Sequence, residues 1–127
     1  MYAKVAALLA DRYAAGSLHT VLLYVASPKW REVDVSGLTQ QFSDVQFDYV
    51  PVDPDAPLPA TKYDAVLVPL YGFTAGNYRL GHGSGWYDRF LATQPQAYTV
   101  GVGLSASRIA FMPEPHDAPL SVIVTEQ

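Results

Sequence analysis

Residues 65–92 read AVLVPLYGFTAGNYRLGHGSGWYDRFLA, and the rest of the chain is organised by how this stretch is read. Ala65-Val66-Leu67-Val68-Pro69 is a short, unbroken apolar run, the pattern of a strand covered on both faces. Residues 72–85 hold too much glycine for helix or strand and read as a loop. Trp86, Phe90 and Leu91 recur at helical spacing, so residues 86–92 read as a helix. Buried strand, glycine-rich loop and helix in succession are the parts from which parallel sheets are built.

Outward from this unit the same alternation continues. Residues 2–15 are rich in Ala and Leu, and Val5, Leu8, Leu9 and Tyr13 fall at helical spacing. Gly16 is a natural stop for that helix. Residues 20–26 (TVLLYVA) form a second buried strand, and residues 45–50 alternate well enough for a third. Between them Asp34 or Ser36 is placed to cap a short helix running toward Phe42. Residues 99–104 (TVGVGL) and 122–125 (VIVT) supply two further strands. Pro51, Pro54, Pro57 and Pro59 exclude helix or central strand from residues 51–62, which read as a surface connection inside one domain. The expectation is an α/β fold, three-layer α/β/α with a mostly parallel central sheet, formed by residues 1–127 as a single domain.

Composition narrows the function classes. The chain has 127 residues, no cysteine and a net charge of −4 from 8 Lys+Arg against 12 Asp+Glu. Disulfides, thiolate metal sites and a cysteine nucleophile are excluded. The acidic balance argues against a nucleic-acid partner, which would call for a basic face. No apolar run approaches the roughly 20 residues of a membrane span, and no signal peptide is read at the N-terminus. The expected location is the cytoplasm.

The chemistry concentrates in Arg79-Leu80-Gly81-His82-Gly83-Ser84-Gly85-Trp86-Tyr87-Asp88-Arg89. Glycines at every second position let the main chain approach a ligand closely. Their amides, with those opening the helix, can cradle an anion. Arg79 can grip phosphate oxygens through two parallel hydrogen bonds, and Asp88 brings a carboxylate close by. Magnesium takes one or two protein carboxylates and completes its shell with water and phosphate. The segment matches neither the P-loop nor the dinucleotide-binding fingerprint, so spacing alone leaves a phosphate site and a glycine turn packed on the sheet both open. A second cluster, Met112-Pro113-Glu114-Pro115-His116-Asp117-Ala118-Pro119, has prolines that fix an extended loop before the last strand. Asp117 at a strand end suits ligand binding; an exposed proline turn is the other reading.

Taken together, these stretches resemble the 5-formyltetrahydrofolate cyclo-ligase family. The shared pattern runs through Val68-Pro69, Phe73, residues 79–91, Val100-Gly101, Pro113, His116-Asp117, Pro119 and Thr125-Glu126. Glu32-Val33-Asp34-Val35 is a weaker match to the start of that family's helix. The resemblance implies an ATP- and magnesium-dependent ligase that converts 5-formyltetrahydrofolate to 5,10-methenyltetrahydrofolate in one-carbon metabolism. It implies Arg79 and Asp88 as catalytic residues, and Arg79, Leu80, Gly81, His82, Gly83, Ser84, Gly85, Trp86 and Tyr87 around ATP. His82, Gly83, Ser84, Gly85 and Trp86 would border the folate, and Asp88 and Asp117 would hold magnesium. His116 stands between orienting Asp117, touching the substrate and a plain loop role.

The chain also departs from the pattern. Trp86 replaces a Tyr, Leu70 and Asn77 replace glycines, Thr74 replaces an aspartate and Ser107 stands where Gln is common. Asn77 is the mildest change, because Asn tolerates the left-handed conformation. Lys4 and Arg12 are the only bases in the first helix, where the resemblance expects a longer basic helix, and the proline-rich residues 51–62 stand where it expects several dozen. A non-catalytic relative that binds a nucleotide or folate in a shortened pocket is therefore the alternative. A homodimer could supply the missing walls.

Overall fold

The computed structural model describes residues 2–27, 32–51, 53, 55–70, 72–80, 85–110 and 119–126. Among these residues five strands, β1 (Thr20–Leu23), β2 (Gln46–Tyr49), β3 (Ala65–Pro69), β4 (Tyr98–Val102) and β5 (Val122–Val124), form one sheet in the order β2-β1-β3-β4-β5. Every pairing is parallel. Among the described residues three α-helices flank it: α1 (Tyr2–Ala14), α2 (Leu38–Gln41) and α3 (Trp86–Ala92).

The layering follows from the two-residue period of the strands. Val21, Leu23, Ala65, Leu67, Val100 and Val102 point to one face and pack with Val5 and Leu9 of α1 and Leu38 of α2. Leu22, Val66 and Val68 point to the other face and pack with Trp86 and Phe90 of α3. The expected three-layer α/β fold is thus present, with the sheet wholly parallel.

Local chemistry sets most element ends. α1 stops where Gly16 turns left-handed at φ 75°, and the Ser17 amide closes back on the Arg12 carbonyl at 3.0 Å. α2 differs from expectation. Asp34 caps no helix; its carboxylate accepts the Ser36 amide at 2.9 Å, and a one-turn helix starts after Gly37 without a side-chain cap. The proline-rich connection between β2 and β3 has no helix among its described residues, and Val50 and Leu58 help cover the α3 side of the core.

Two close approaches lead to predictions. A Cβ on Gly103, just beyond β4, would lie 2.7 Å from Leu70 Cβ and 3.1 Å from the Leu70 carbonyl oxygen. Gly103→Ala is expected to cost about 1–3 kcal/mol through the forced shift, read as a lower urea midpoint at unchanged slope. Near the β1–β2 edge, the buried Tyr63 donates its hydroxyl to Asp48 Oδ2 at 2.7 Å. Burial, and then that hydrogen bond and charge, push the phenol from 10.0 up to about 12. A raised phenol adds stability that is complete below pH 10 and is lost as the pH climbs through 12. Asp48→Asn is expected to lower the Tyr63 midpoint in a tyrosinate absorbance titration. An unmoved midpoint would leave burial as the whole cause.

Candidate active site at the β1/β3 crevice

The strand order fixes where a ligand can sit. β1 and β3 are neighbours, yet the chain leaves β1 through α2 on one face and β3 through α3 on the other. In open parallel sheets such a divergence puts the usual ligand position beyond the C-terminal ends of the two strands. From the β1 side come Tyr24, whose hydroxyl donates to the Val33 carbonyl at 2.6 Å, and Glu32, whose carboxylate accepts the Ser27 amide at 2.9 Å. From the β3 side come Arg79 and, on α3, Tyr87 and Asp88.

Arg79 is delivered by a hairpin hidden in the stretch read above as loop. Phe73 and Arg79 form an antiparallel bridge. The Leu80 amide donates to the Gly72 carbonyl at 2.8 Å and the Thr74 amide to the Tyr78 carbonyl at 2.9 Å. The hairpin's outer arm is fixed in turn, because Phe73 also pairs with Arg108 in parallel. At the end of the returning arm, the Arg79 guanidinium stands 4.7 Å from the centre of the Tyr87 ring, a cation–π contact that presets its direction.

Gly85 opens α3 in the left-handed conformation at φ 69°, which a side chain there would strain. Trp86 turns inward. Its ring is buried, stacks on Phe90 at 5.1 Å and meets Tyr87 edge-on at 5.2 Å. Asp88 lies in the first turn of this seven-residue helix and is half-buried. The Tyr87 phenol is raised, chiefly by burial with Glu32 adding, while Arg79 opposes the shift. Tyr24 is raised by burial, then by Glu32. Both phenols therefore stay protonated at neutral pH, and the Tyr24 proton is the one already given to the Val33 carbonyl. Neither Glu32 nor Tyr24 reads as a site residue from sequence: Tyr24 sits inside an apolar run, and Glu32 stands only in the weaker match of residues 32–35 to the start of a helix.

Of the expected site residues, the structure brings Arg79, Leu80, Gly85, Trp86, Tyr87 and Asp88 to one end of the sheet. Gly81, His82, Gly83, Ser84, His116 and Asp117 lie outside the described residues. Among the described residues no cluster of three or more Asp, Glu or His stands ready for a metal. Of the two expected carboxylates only Asp88 is described, and a single carboxylate is compatible with magnesium, which needs few protein ligands when phosphate oxygens complete its shell.

A cleft of about 560 Å³ lies beside the hairpin. Lys4 and Asp11 of α1, Thr74 and Asn77 of the hairpin, Arg108, and Thr125 beyond β5 line it. Lys4 Nζ donates to the Thr125 carbonyl at 3.3 Å. Glu126 holds the 3-10 turn Ser105–Ser107 ahead of Arg108, accepting the Ser105 amide at 2.6 Å. That bond holds the Glu126 carboxyl below its ordinary value.

Fold and site together define a parallel α/β protein with Arg79 over the Tyr87 ring, and the Asp88 carboxylate in the first turn of α3, near its topological switch point. Residues 23–126 match the profile of the 5-formyltetrahydrofolate cyclo-ligase family, and the chain belongs to that family. It is 37% identical over 67 residues to a 5-formyltetrahydrofolate cyclo-ligase of Mycoplasma pneumoniae, covering 52% of this chain and 41% of that protein. It is 32% identical over 62 residues to one of Mycoplasma genitalium, covering 48% and 38%. These matches span about two fifths of the length of either relative. A solved structure, a 5,10-methenyltetrahydrofolate synthetase from Mycoplasma pneumoniae, superposes with a TM-score of 0.82 at 26% identity, over 99% of this chain and 82% of that one. No described helix is long and apolar enough to cross a membrane.

Proposed function

We propose that the chain is an ATP-dependent 5-formyltetrahydrofolate cyclo-ligase of one-carbon metabolism, working in the cytoplasm. The observation that carries this reading is Arg79, set by the hairpin over the ring of Tyr87, the residue before Asp88 in the first turn of α3. In this reading the γ-phosphoryl group of ATP passes to the formyl oxygen of the substrate and ADP departs. N10 then attacks the activated carbon, the ring closes and phosphate leaves with the former formyl oxygen. Such a reaction asks the protein mainly for alignment and for neutralising charge.

Arg79 grips phosphate oxygens, and the main chain of residues 80–87 wraps them. Residues 82–85 and the main chain of Trp86 border the folate, while the Trp86 ring stays in the core against Phe90. Asp88 and Asp117 are the magnesium carboxylates, and the bound metal would supply charge neutralisation at the phosphates. The test is to mix purified protein with 5-formyltetrahydrofolate and Mg-ATP and follow the absorbance of the methenyl product. Turnover that needs both ATP and magnesium is expected.

One observation favours a second reading. The connection from β2 to β3 is a short proline-rich segment with no helix among its described residues, where the resemblance expects a longer one. Saturable ATP binding without turnover would select a non-catalytic nucleotide- or folate-binding relative. A concentration-dependent activity would point to a second copy of the chain completing the pocket.

A further inference from the structure

We infer that Asn77 is a positioning residue, a two-point clamp that fixes the Arg79 hairpin to the chain entering β5. The inference rests on the phosphate role proposed for Arg79. It starts from backbone geometry: among the described residues, Asn77 is the one non-glycine with positive φ, at 67°.

The hairpin loop needs that conformation. The Asn77 amide donates to the Thr74 carbonyl at 3.1 Å, and the Thr74 amide then reaches the Tyr78 carbonyl. This is the three-residue loop in which a turn is followed by a left-handed residue. Glycine would adopt the conformation more easily. Asparagine adds a side-chain contact, from Nδ2, to a main-chain bond that glycine would also make. The Asn77 carbonyl accepts the Leu120 amide at 2.8 Å, and Asn77 Nδ2 donates to the Leu120 carbonyl at a longer 3.4 Å. One residue thus engages both main-chain groups of Leu120.

The anchor is firm. Leu120 is buried and lies beside Leu70 over Gly101, so close that a Cβ on that glycine would stand 2.8 Å from each. With Phe73 tied to Ser107 and Ile109 by main-chain bonds of 3.2 and 2.8 Å, the hairpin is held on one arm and at its tip. The returning arm, which ends in Arg79, takes its direction from both. Asn77 also lines the cleft with Lys4 and Arg108, so the tip cannot shift without moving that wall.

The experiment compares Asn77→Asp and Asn77→Gly with the unmodified chain. Asp keeps the shape but sets a carboxylate oxygen against the Leu120 carbonyl; Gly keeps the backbone and loses only the side-chain bond. Tm is expected to stay within about 5 °C in both. Hydrogen exchange at the Thr74 and Leu80 amides is expected to speed up about tenfold, more in Asp than in Gly. KM for Mg-ATP is expected to rise about tenfold in Asp with kcat little changed, the mark of a misplaced binding group. Unchanged exchange and unchanged KM in Asn77→Asp would overturn the clamp. An unmodified chain without turnover, whose Asp variant still shows faster exchange at those amides, would support the clamp and defeat the function proposed for the site instead.

Discussion

Asp88→Asn is expected to abolish magnesium-dependent nucleotide binding and to lower kcat/KM by at least about 100-fold, with the fold intact. The amide keeps the size of the carboxylate and loses the charge that a hard cation requires. Losing a group one shell removed from a metal costs about 10–100-fold, so losing a direct ligand should reach at least the top of that range. The structural cost should be small. Asp88 lies in the first turn of α3, where its charge favours the helix by about 0.3–1 kcal/mol. A nucleotide titration with and without magnesium, beside a thermal melt, separates the two effects. A metal dependence identical to that of the unmodified chain would remove Asp88 from the site.

Phe90→Ala is expected to be the most destabilising change, at about 3–5 kcal/mol. Phe90 is fully buried. Its ring stacks on Trp86 and sits 6.1 Å from the Tyr63 ring, so truncation leaves a cavity on the face that carries the site. Against a total stability of about 5–15 kcal/mol, much of the population could unfold at 37 °C. Phe90→Leu, which keeps most of the volume, should cost under about 1.5 kcal/mol. Urea denaturation of both variants reads the difference. A loss below about 1 kcal/mol for Phe90→Ala would show that α3 is held by something other than this aromatic stack.

The parts of the fold legible from sequence are those whose signal is local. The apolar run of β3 and the helix α3 appear with the bounds read from sequence, Ala65–Pro69 and Trp86–Ala92, because burial on both faces and helical periodicity both leave marks in a few residues. β1 and β4 agree less well at their ends, since ladder pairing decides where a strand stops. The hairpin within residues 72–80 was not legible. Its arms are too short to alternate, and its outer arm pairs with Phe73's distant partner Arg108. Asn77 was legible in conformation, since left-handed tolerance belongs to the residue; its hold on Leu120, 43 positions away, belongs to the tertiary fold. The cap expected from Asp34 went instead to a local turn, because a short carboxylate can satisfy the amide two residues on without a helix.

The site divides along the same line. Arg79, Gly85 and Asp88 stood out because glycine spacing and charge are written in one segment. Glu32 and Tyr24 come near Tyr87 from the β1 side and carry no motif of their own by physics alone. Lys4 and Arg108 meet at the cleft only because α1 packs over β5, a juxtaposition that no local window contains.

The most direct measurement is a structure of the chain crystallised with magnesium and a non-hydrolysable ATP analogue. The expected result is a triphosphate held by Arg79 and by the main chain leading into α3, with the metal on the Asp88 carboxylate. A triphosphate out of reach of Arg79, or a metal bound away from Asp88, would contradict it.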